Sequence, residues 1–235
     1  MMAKMGNGTI SWHRIRGVIF DLDGTLINTI DVYVKALNFG LELYGVEKIT
    51  KGQLGKYLDE SISLNDILRH ISPIFEDPST NEKCKEIVVK RYVELEVDEV
   101  SLIQGADLVL QNIKELGLKT AVLSARTSMG EAKWRELRRL RIDRFVDIVI
   151  TAAETKRKPD PHGVFRCLEE LMLNRDEVVF VGDASADILA GKNAGVSTVG
   201  VLSGVGQRDV LSKLGPDLLV DSVLELMPYL KLIER

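Results

Sequence analysis

Two patterns of apolar and polar positions divide the chain. In the first, short unbroken apolar runs end on acidic or small residues: Val18-Ile19-Phe20 before Asp21, Leu118 to Ser124, Val146 to Thr151, Val178 to Val181 before Gly182-Asp183, and Val196 to Leu202. A strand without alternation is buried on both faces, as in a parallel sheet. Between these runs the apolar residues recur at helical spacing. Ala106, Val109, Leu110, Ile113 and Leu116 share one face between Gly105 and Gly117, and a helix is predicted from about Thr127 to Leu140. Another runs from Pro161 to Leu173, with Asp160 as N-cap and Pro161 at the first helical position, and Ala186 to Ala194 forms one that Gly195 stops. Strands alternating with helices predict right-handed crossovers and an α/β fold whose parallel sheet is covered on both faces.

The second pattern fills residues 29–100. Ile30, Tyr33, Val34, Leu37, Leu41 and Tyr44 keep a helical period, and Leu54 to Ile71 and Asn81 to Val97 also read as helical, punctuated by Pro73 and Pro78. Residues 29–100 are therefore expected to form an all-helical insertion. The sheet core is expected from residues 1–28 and 101–235, with polar, glycine-containing residues 1–16 as a loose arm.

Composition narrows the function. The chain has 235 residues, 45% hydrophobic and 28% charged, enough for one large domain or two small ones. A formal net charge of -4 argues against broad binding to nucleic acid or an anionic membrane, both of which favour a cationic surface. No apolar run approaches the roughly 18 residues of a membrane span, and the N-terminus lacks the apolar core of a secretion signal. The Asn7-Gly8-Thr9 glycosylation pattern carries little weight without a secretory route. Cys84 and Cys167 are far apart, with no CxxC or Cys/His cluster, so the expected compartment is a reducing cytoplasm.

The candidate chemistry sits at the ends of the predicted strands. Asp21, at the carboxyl end of the first, is where open α/β sheets place their ligands, which makes it a candidate nucleophile. Asp23 lies two residues on, in a turn that Gly24 permits; its carbonyl could ligate a cation while its carboxylate moves protons. A calcium loop is excluded, because that loop needs a glutamate about six residues after the glycine and this chain runs on as TLINTI. Asp183 and Asp187, four apart across a strand-to-helix junction, could face one cation. Readings of Asp23 as a capping acid and of Asp187 as a first-turn acid favoured by the helix dipole stay open at this level. Lys158, in KRKPDP, stands before Pro159 on a stiffened peptide that can aim an ammonium into a carboxylate cluster. Ser124 offers a hydroxyl, and Ala125 and Arg126 their backbone amides, to a phosphoryl oxygen. His70 and His162 read as helix-surface or packing residues, and Arg135, Arg138, Arg139 and Arg141 as a solvated helix face.

Together DLDGTL (Asp21 to Leu26), Ser124, Lys158 before a proline, and GDASAD (Gly182 to Asp187) resemble the haloacid dehalogenase superfamily of phosphotransferases, over nearly the whole chain and in the right order. The insertion resembles the helical cap of the phosphoglycolate phosphatase-like branch. The resemblance implies a Rossmann-like core, Mg²⁺ dependence and an aspartyl-phosphate intermediate. By position, Asp21 would attack phosphorus and Asp23 would protonate the leaving oxygen and then activate water. Ser124, Ala125, Arg126 and Lys158 would hold the substrate, and Asp21, Asp23, Asp183 and Asp187 the metal. Where many relatives follow the motif serine or threonine with asparagine or glycine, this chain has Ala125 and then Arg126, which could reach a substrate anion. The expected activity is hydrolysis of a small phosphorylated metabolite, phosphoglycolate-like or a sugar phosphate. Alternatives within the family are a phosphosugar mutase and a phosphonate hydrolase, the latter needing a cap lysine among Lys35, Lys48, Lys51 and Lys56. A phospho-acceptor signalling module is the alternative of another class, although such domains run to about 120 residues on the usual domain scale, without a large insertion.

Overall fold

A computed structural model describes residues 10–233. In chain order its elements are β1 (Gly17–Phe20), β2 (Ile27–Asn28), α1 (Ile30–Leu43), α2 (Lys51–Asp59), α3 (Leu64–Ile71), α4 (Pro78–Glu99), β3 (Ser101–Leu102) and α5 (Ala106–Glu115). Then follow β4 (Lys119–Ser124), α6 (Arg135–Arg139), β5 (Ile148–Thr151), α7 (His162–Leu171), β6 (Val178–Gly182), α8 (Ser185–Ala194), β7 (Ser197–Val201), α9 (Arg208–Leu214), β8 (Leu218–Val220) and α10 (Met227–Leu230). Among the described residues the main sheet has six strands in the order β5-β4-β1-β6-β7-β8, with every neighbouring pair parallel. It is the parallel sheet that the apolar runs predict, in the Rossmann-like arrangement that the family resemblance implies.

Side chains alternate across the sheet, so each strand feeds two cores. Val18 and Phe20 of β1 join Val122, Val179 and Val181 in the layer packed by α5 and the C-terminal segment. Ile19 joins Ala121, Leu123 and Phe180 on the opposite face, under α7 and α8. The central strand carries the site to the middle of the sheet. Phe20 pairs with Val122 on one side and Val181 on the other, so Asp21 leaves β1 between the ends of β4 and β6.

Helices α1 to α4 bury a separate core of Leu37, Leu41, Leu54, Ile67, Leu68, Phe75 and Val88. The chain passes into and out of this helical body through the antiparallel ribbon of β2 and β3, where Ile27 faces Leu102 and Asn28 faces Ser101.

Four local expectations change. The expected helix from Thr127 to Leu140 is broken: a 3-10 turn at Gly130–Trp134 precedes α6, Gly130 has φ +54°, and the Ser128 carbonyl accepts from the Thr151 hydroxyl at 2.8 Å. That side-chain bond ties the loop to the end of β5 and takes the place of helix propagation. The Leu54 to Ile71 stretch is two helices, divided where Ser61 adopts φ +57° and Ser63 caps α3. Helix α7 begins at His162, and Asp160 still caps it by accepting from the His162 N–H at 2.9 Å. Finally, the N-terminal arm is anchored over its described part: Ile10, Trp12 and Ile15 are buried, and Trp12 stacks on Tyr229. Its first nine residues, Asn7-Gly8-Thr9 included, lie outside the described residues.

Candidate active site

Three strand ends meet at the carboxyl edge of the sheet. Asp21 follows β1, Ser124 ends β4, and Asp183 follows β6, with Asp187 one turn into α8. Asp21, Asp183 and Asp187 are all buried, and a carboxylate oxygen of each lies within 4.8 Å of the others. Lys158 reaches this cluster from the loop before α7. Its buried Nζ is 2.5 Å from Asp21 Oδ1 and 2.6 Å from Asp187 Oδ1, and it also donates to the Leu123 carbonyl at 3.3 Å. One ammonium thus pairs with two of three clustered carboxylates, all of them buried.

Each acid is held by its own partners. Asp183 Oδ1 accepts from the Thr25 hydroxyl at 2.8 Å, and its Oδ2 from the Val205 N–H at 2.9 Å. Glycine is required around it: at Gly24, with φ +90°, a Cβ would lie 2.6 Å from Asp183 Oδ2, and at Gly204 only 1.9 Å from the same atom. Asp187 Oδ2 accepts from the Ala184 N–H at 3.0 Å, whereas its Oδ1 receives no aligned hydrogen bond despite the nearby ammonium.

Burial and mutual repulsion set the charge states. Desolvation, with the charges of Asp187, Asp183 and Asp23, raises the Asp21 pKa well above the usual carboxylate value against the opposing pull of Lys158. Asp183 is pushed up to about 7, first by burial and then by Asp187. Burial alone would lower the Lys158 pKa, but Asp187 and Asp21 raise it instead. The donor set suits a hard divalent cation, which prefers oxygen ligands and would offset the excess negative charge.

Asp23 is different. Its carboxylate turns away from the three acids to Arg126, whose Nε and Nη2 donate to Oδ2 and Oδ1 at 2.9 and 2.7 Å. Burial pushes the Asp23 pKa up, but the Arg126 charge and hydrogen bonds more than offset this and leave it lowered. Arg126 also donates to Glu136 and, at 2.8 Å, to the Tyr92 hydroxyl of α4. Ser124 is buried, and its Oγ accepts from the Arg126 N–H at 3.2 Å, so that amide is engaged within the loop. The carbonyl of Ala125 accepts from the Arg157 guanidinium at 3.2 Å.

The helical body is docked over this edge. Asp59, at the end of α2, accepts from the Ser185 N–H at 2.6 Å and from its hydroxyl at 2.7 Å, at the start of α8. Arg135 pairs with the buried Glu96 at 2.6 Å, and Arg139 donates to the Val97 and Val100 carbonyls, so part of the basic stretch expected to face solvent joins the two bodies. Lys35, Lys48 and Lys51 instead pair with Glu99, Glu42 and Asp31 at the surface, and Lys56 is exposed.

Sequence reasoning gave no role to Thr25, Glu136, Tyr92, Asp59 or the Ser203-Gly204-Val205-Gly206 loop. Only the glycine pair of that loop, directly after β7, carries a local signal.

Comparison with known proteins gives the class. The family model described as haloacid dehalogenase-like hydrolase matches residues 18–201, a span that contains the whole carboxylate-lysine cluster, and the chain belongs to that family of enzymes. It is 34% identical over 218 residues to a protein of Clostridium perfringens named "Putative pyrophosphatase PpaX", covering 91% of this chain and 96% of that one. A Bacillus cereus protein named "Pyrophosphatase PpaX" is 28% identical, with 94% and 99% covered. Among solved structures, one described as "a predicted phosphoglycolate phosphatase" from Haemophilus somnus superposes with a TM-score of 0.79 at 20% identity, over 92% of this chain and 97% of that one, and so shares the fold.

Proposed function

We propose that this chain is a Mg²⁺-dependent phosphatase that hydrolyses a small phosphorylated metabolite through an aspartyl-phosphate on Asp21. The observation that carries this reading is Lys158 Nζ between Asp21 and Asp187, at 2.5 and 2.6 Å, beside the Thr25-bound Asp183. Asp21 Oδ attacks phosphorus. The Lys158 ammonium and the Ser124 hydroxyl hold the phosphoryl oxygens and neutralise charge that would otherwise repel the attacking carboxylate. Asp23 donates a proton to the leaving oxygen and then takes one from the water that cleaves the acyl phosphate. Asp21, Asp183, the Asp23 carbonyl and Asp187 would hold the cation, with the unaligned Oδ1 of Asp187 available as a donor. Held by these residues, Mg²⁺ would supply positive charge that offsets that of the phosphate.

The docked helical body covers the site and favours small substrates, because a closed roof excludes bulk water. Inorganic pyrophosphate and phosphoglycolate, from the printed names of a relative and a structural neighbour, are the first substrates to try. No helix among the described residues is long and apolar enough to cross a membrane, and the two cysteines are free and buried, which suits a reducing cytoplasm. Phosphate release from a metabolite panel with and without Mg²⁺ tests the reading. Release that requires Mg²⁺ and disappears in Asp21→Asn is expected, and silence across the panel would refute it.

A further inference from the structure

Arg126 stands two residues after the strand-end serine and commits both arms of its guanidinium. Nε and Nη2 engage the two oxygens of Asp23, Nη1 engages Glu136, and Nη2 also reaches the Tyr92 hydroxyl. The arrangement is built: the Glu136 side chain is 4% exposed, that of Arg126 only 24%, and the Tyr92 ring lies 5.4 Å from the guanidinium carbon. A planar fork on a carboxylate is among the strongest side-chain pairings. It also has a chemical consequence. An acid that protonates a leaving oxygen must carry its proton on an oxygen free to face that atom, and both Asp23 oxygens here face N–H donors. Arg126 must therefore release at least one of them before Asp23 can act. The hydrogen bond given up is best replaced by another anion at the same place. A second guanidinium, Arg157, is anchored on the Ala125 carbonyl of the same loop, which adds to the cationic character of this side of the site.

We propose that Arg126 is a specificity-determining residue that exchanges Asp23 for an anionic group borne by the leaving group. The preferred substrates are then those with a second anion next to the scissile phosphoryl, a phosphoanhydride or the phosphate of a hydroxy acid. Releasing Asp23 only against such a group couples recognition to the acid step. This rests on the acid/base role proposed above for Asp23. It requires a charge in the substrate that a generic phosphatase would not need.

The test compares wild type, Arg126→Gln and Arg126→Lys, all with Mg²⁺, on inorganic pyrophosphate, 2-phosphoglycolate and p-nitrophenyl phosphate, whose leaving group has no second anion of this kind. Gln can still donate to Glu136, and Lys keeps the charge without the fork. Arg126→Gln is expected to lower kcat/KM about 30-fold or more on the anionic substrate the enzyme prefers and less than about threefold on p-nitrophenyl phosphate, with partial recovery in Arg126→Lys. It should also weaken binding of imidodiphosphate, a non-hydrolysable diphosphate, about 10-fold or more by calorimetry. Pyrophosphate or phosphoglycolate as the better substrate tells which anion is taken. Equal losses on all three substrates would make Arg126 a mere support for Asp23, and no loss would make the pair idle; either overturns the proposal. Should wild type hydrolyse none of them, the wider metabolite panel decides the phosphatase reading, and an unchanged imidodiphosphate affinity in Arg126→Gln overturns the role of Arg126.

Discussion

Removing one carboxylate from the Asp21-Asp183-Asp187 cluster should stabilise the metal-free protein while destroying its response to Mg²⁺. Asp183 is the informative position. Its pKa is pushed from 3.8 to about 7, so keeping it ionised at pH 8 costs the folded state about 4 kcal/mol, at about 1.4 kcal/mol per unit. Asp183→Asn removes that cost but weakens two charge-assisted bonds, from the Thr25 hydroxyl and the Val205 N–H, at about 1 kcal/mol each. The amide can be accommodated: its oxygen can keep the Val205 N–H, and the Thr25 hydroxyl can rotate to accept from its NH₂. The net gain is about 2 kcal/mol, or about 4–8 °C in Tm for a chain of this size. The sign with pH follows from the raised value. Between about pH 4 and pH 7 the folded protein binds the extra proton, so the Asp183 contribution to stability is present at low pH and is lost as pH rises through about 7. Mg²⁺ acts in the opposite direction, since it binds the ionised acids. At a concentration about a hundred times its Kd at pH 8 it should stabilise wild type by about 2.7 kcal/mol at that pH, and by less at pH 5 at the same concentration. Calorimetric melting of both proteins in chelator and in Mg²⁺ reads all of this. If Asp183→Asn melts below wild type in chelator at pH 8, the acids do not strain one another; if Mg²⁺ raises both melting points equally, Asp183 does not bind it.

Other substitutions probe the remaining parts. Lys158→Met leaves Asp21 and Asp187 facing each other without the ammonium at 2.5 and 2.6 Å, which should cost about 3–5 kcal/mol at pH 8 and partly recover at pH 5 as Asp21, whose pKa burial raises, takes up a proton; a melting point unchanged from wild type at both pH values would contradict this. Asp21→Asn should lose at least about a thousandfold in kcat while staying folded by circular dichroism, and retained turnover would exclude it as the nucleophile. Asp59→Ala deletes both bonds to Ser185 and should loosen the docking of α2 by about 1 kcal/mol, seen as faster hydrogen exchange across Lys51–Asp59 with exchange in α5 unchanged. Equal exchange in variant and wild type would show that this contact does not hold the helical body down.

What could be read from the sequence was whatever is written locally. Val18-Ile19-Phe20 and Val178 to Val181 declare strands buried on both faces, and acids placed directly after such strands reach the carboxyl edge of the sheet whatever the loops do. Lys158, Asp183 and Asp187 gather at that edge as their positions predict. Arg126 and Asp23 are 103 residues apart and Ser185 and Asp59 are 126 apart, so no periodicity joins them; the first pair meets only once β1 and β4 lie side by side, the second only once the helical body is docked. The broken helix after Ser124 was hidden for a related reason. Apolar spacing around Leu137 and Leu140 suggests a continuous helix, whereas the Thr151 bond to the Ser128 carbonyl, formed across the sheet edge, holds residues before Gly130 in an extended loop. Burial of Ile10, Trp12 and Ile15 among polar neighbours likewise comes from distant parts of the core, Trp12 stacking on the C-terminal Tyr229, which the local pattern cannot show.

Trapping the phosphorylated side chain is the most direct measurement. Asp23→Asn, which should accept a phosphoryl group from an activated ester such as 2,4-dinitrophenyl phosphate but hydrolyse it slowly, can be quenched in acid, reduced with borohydride and digested. An aspartyl phosphate is reduced to homoserine, so peptide mass spectrometry should find homoserine at position 21, dependent on Mg²⁺ and on the ester. Label at another residue, or rapid phosphate release with no labelled residue, would contradict a covalent intermediate on Asp21.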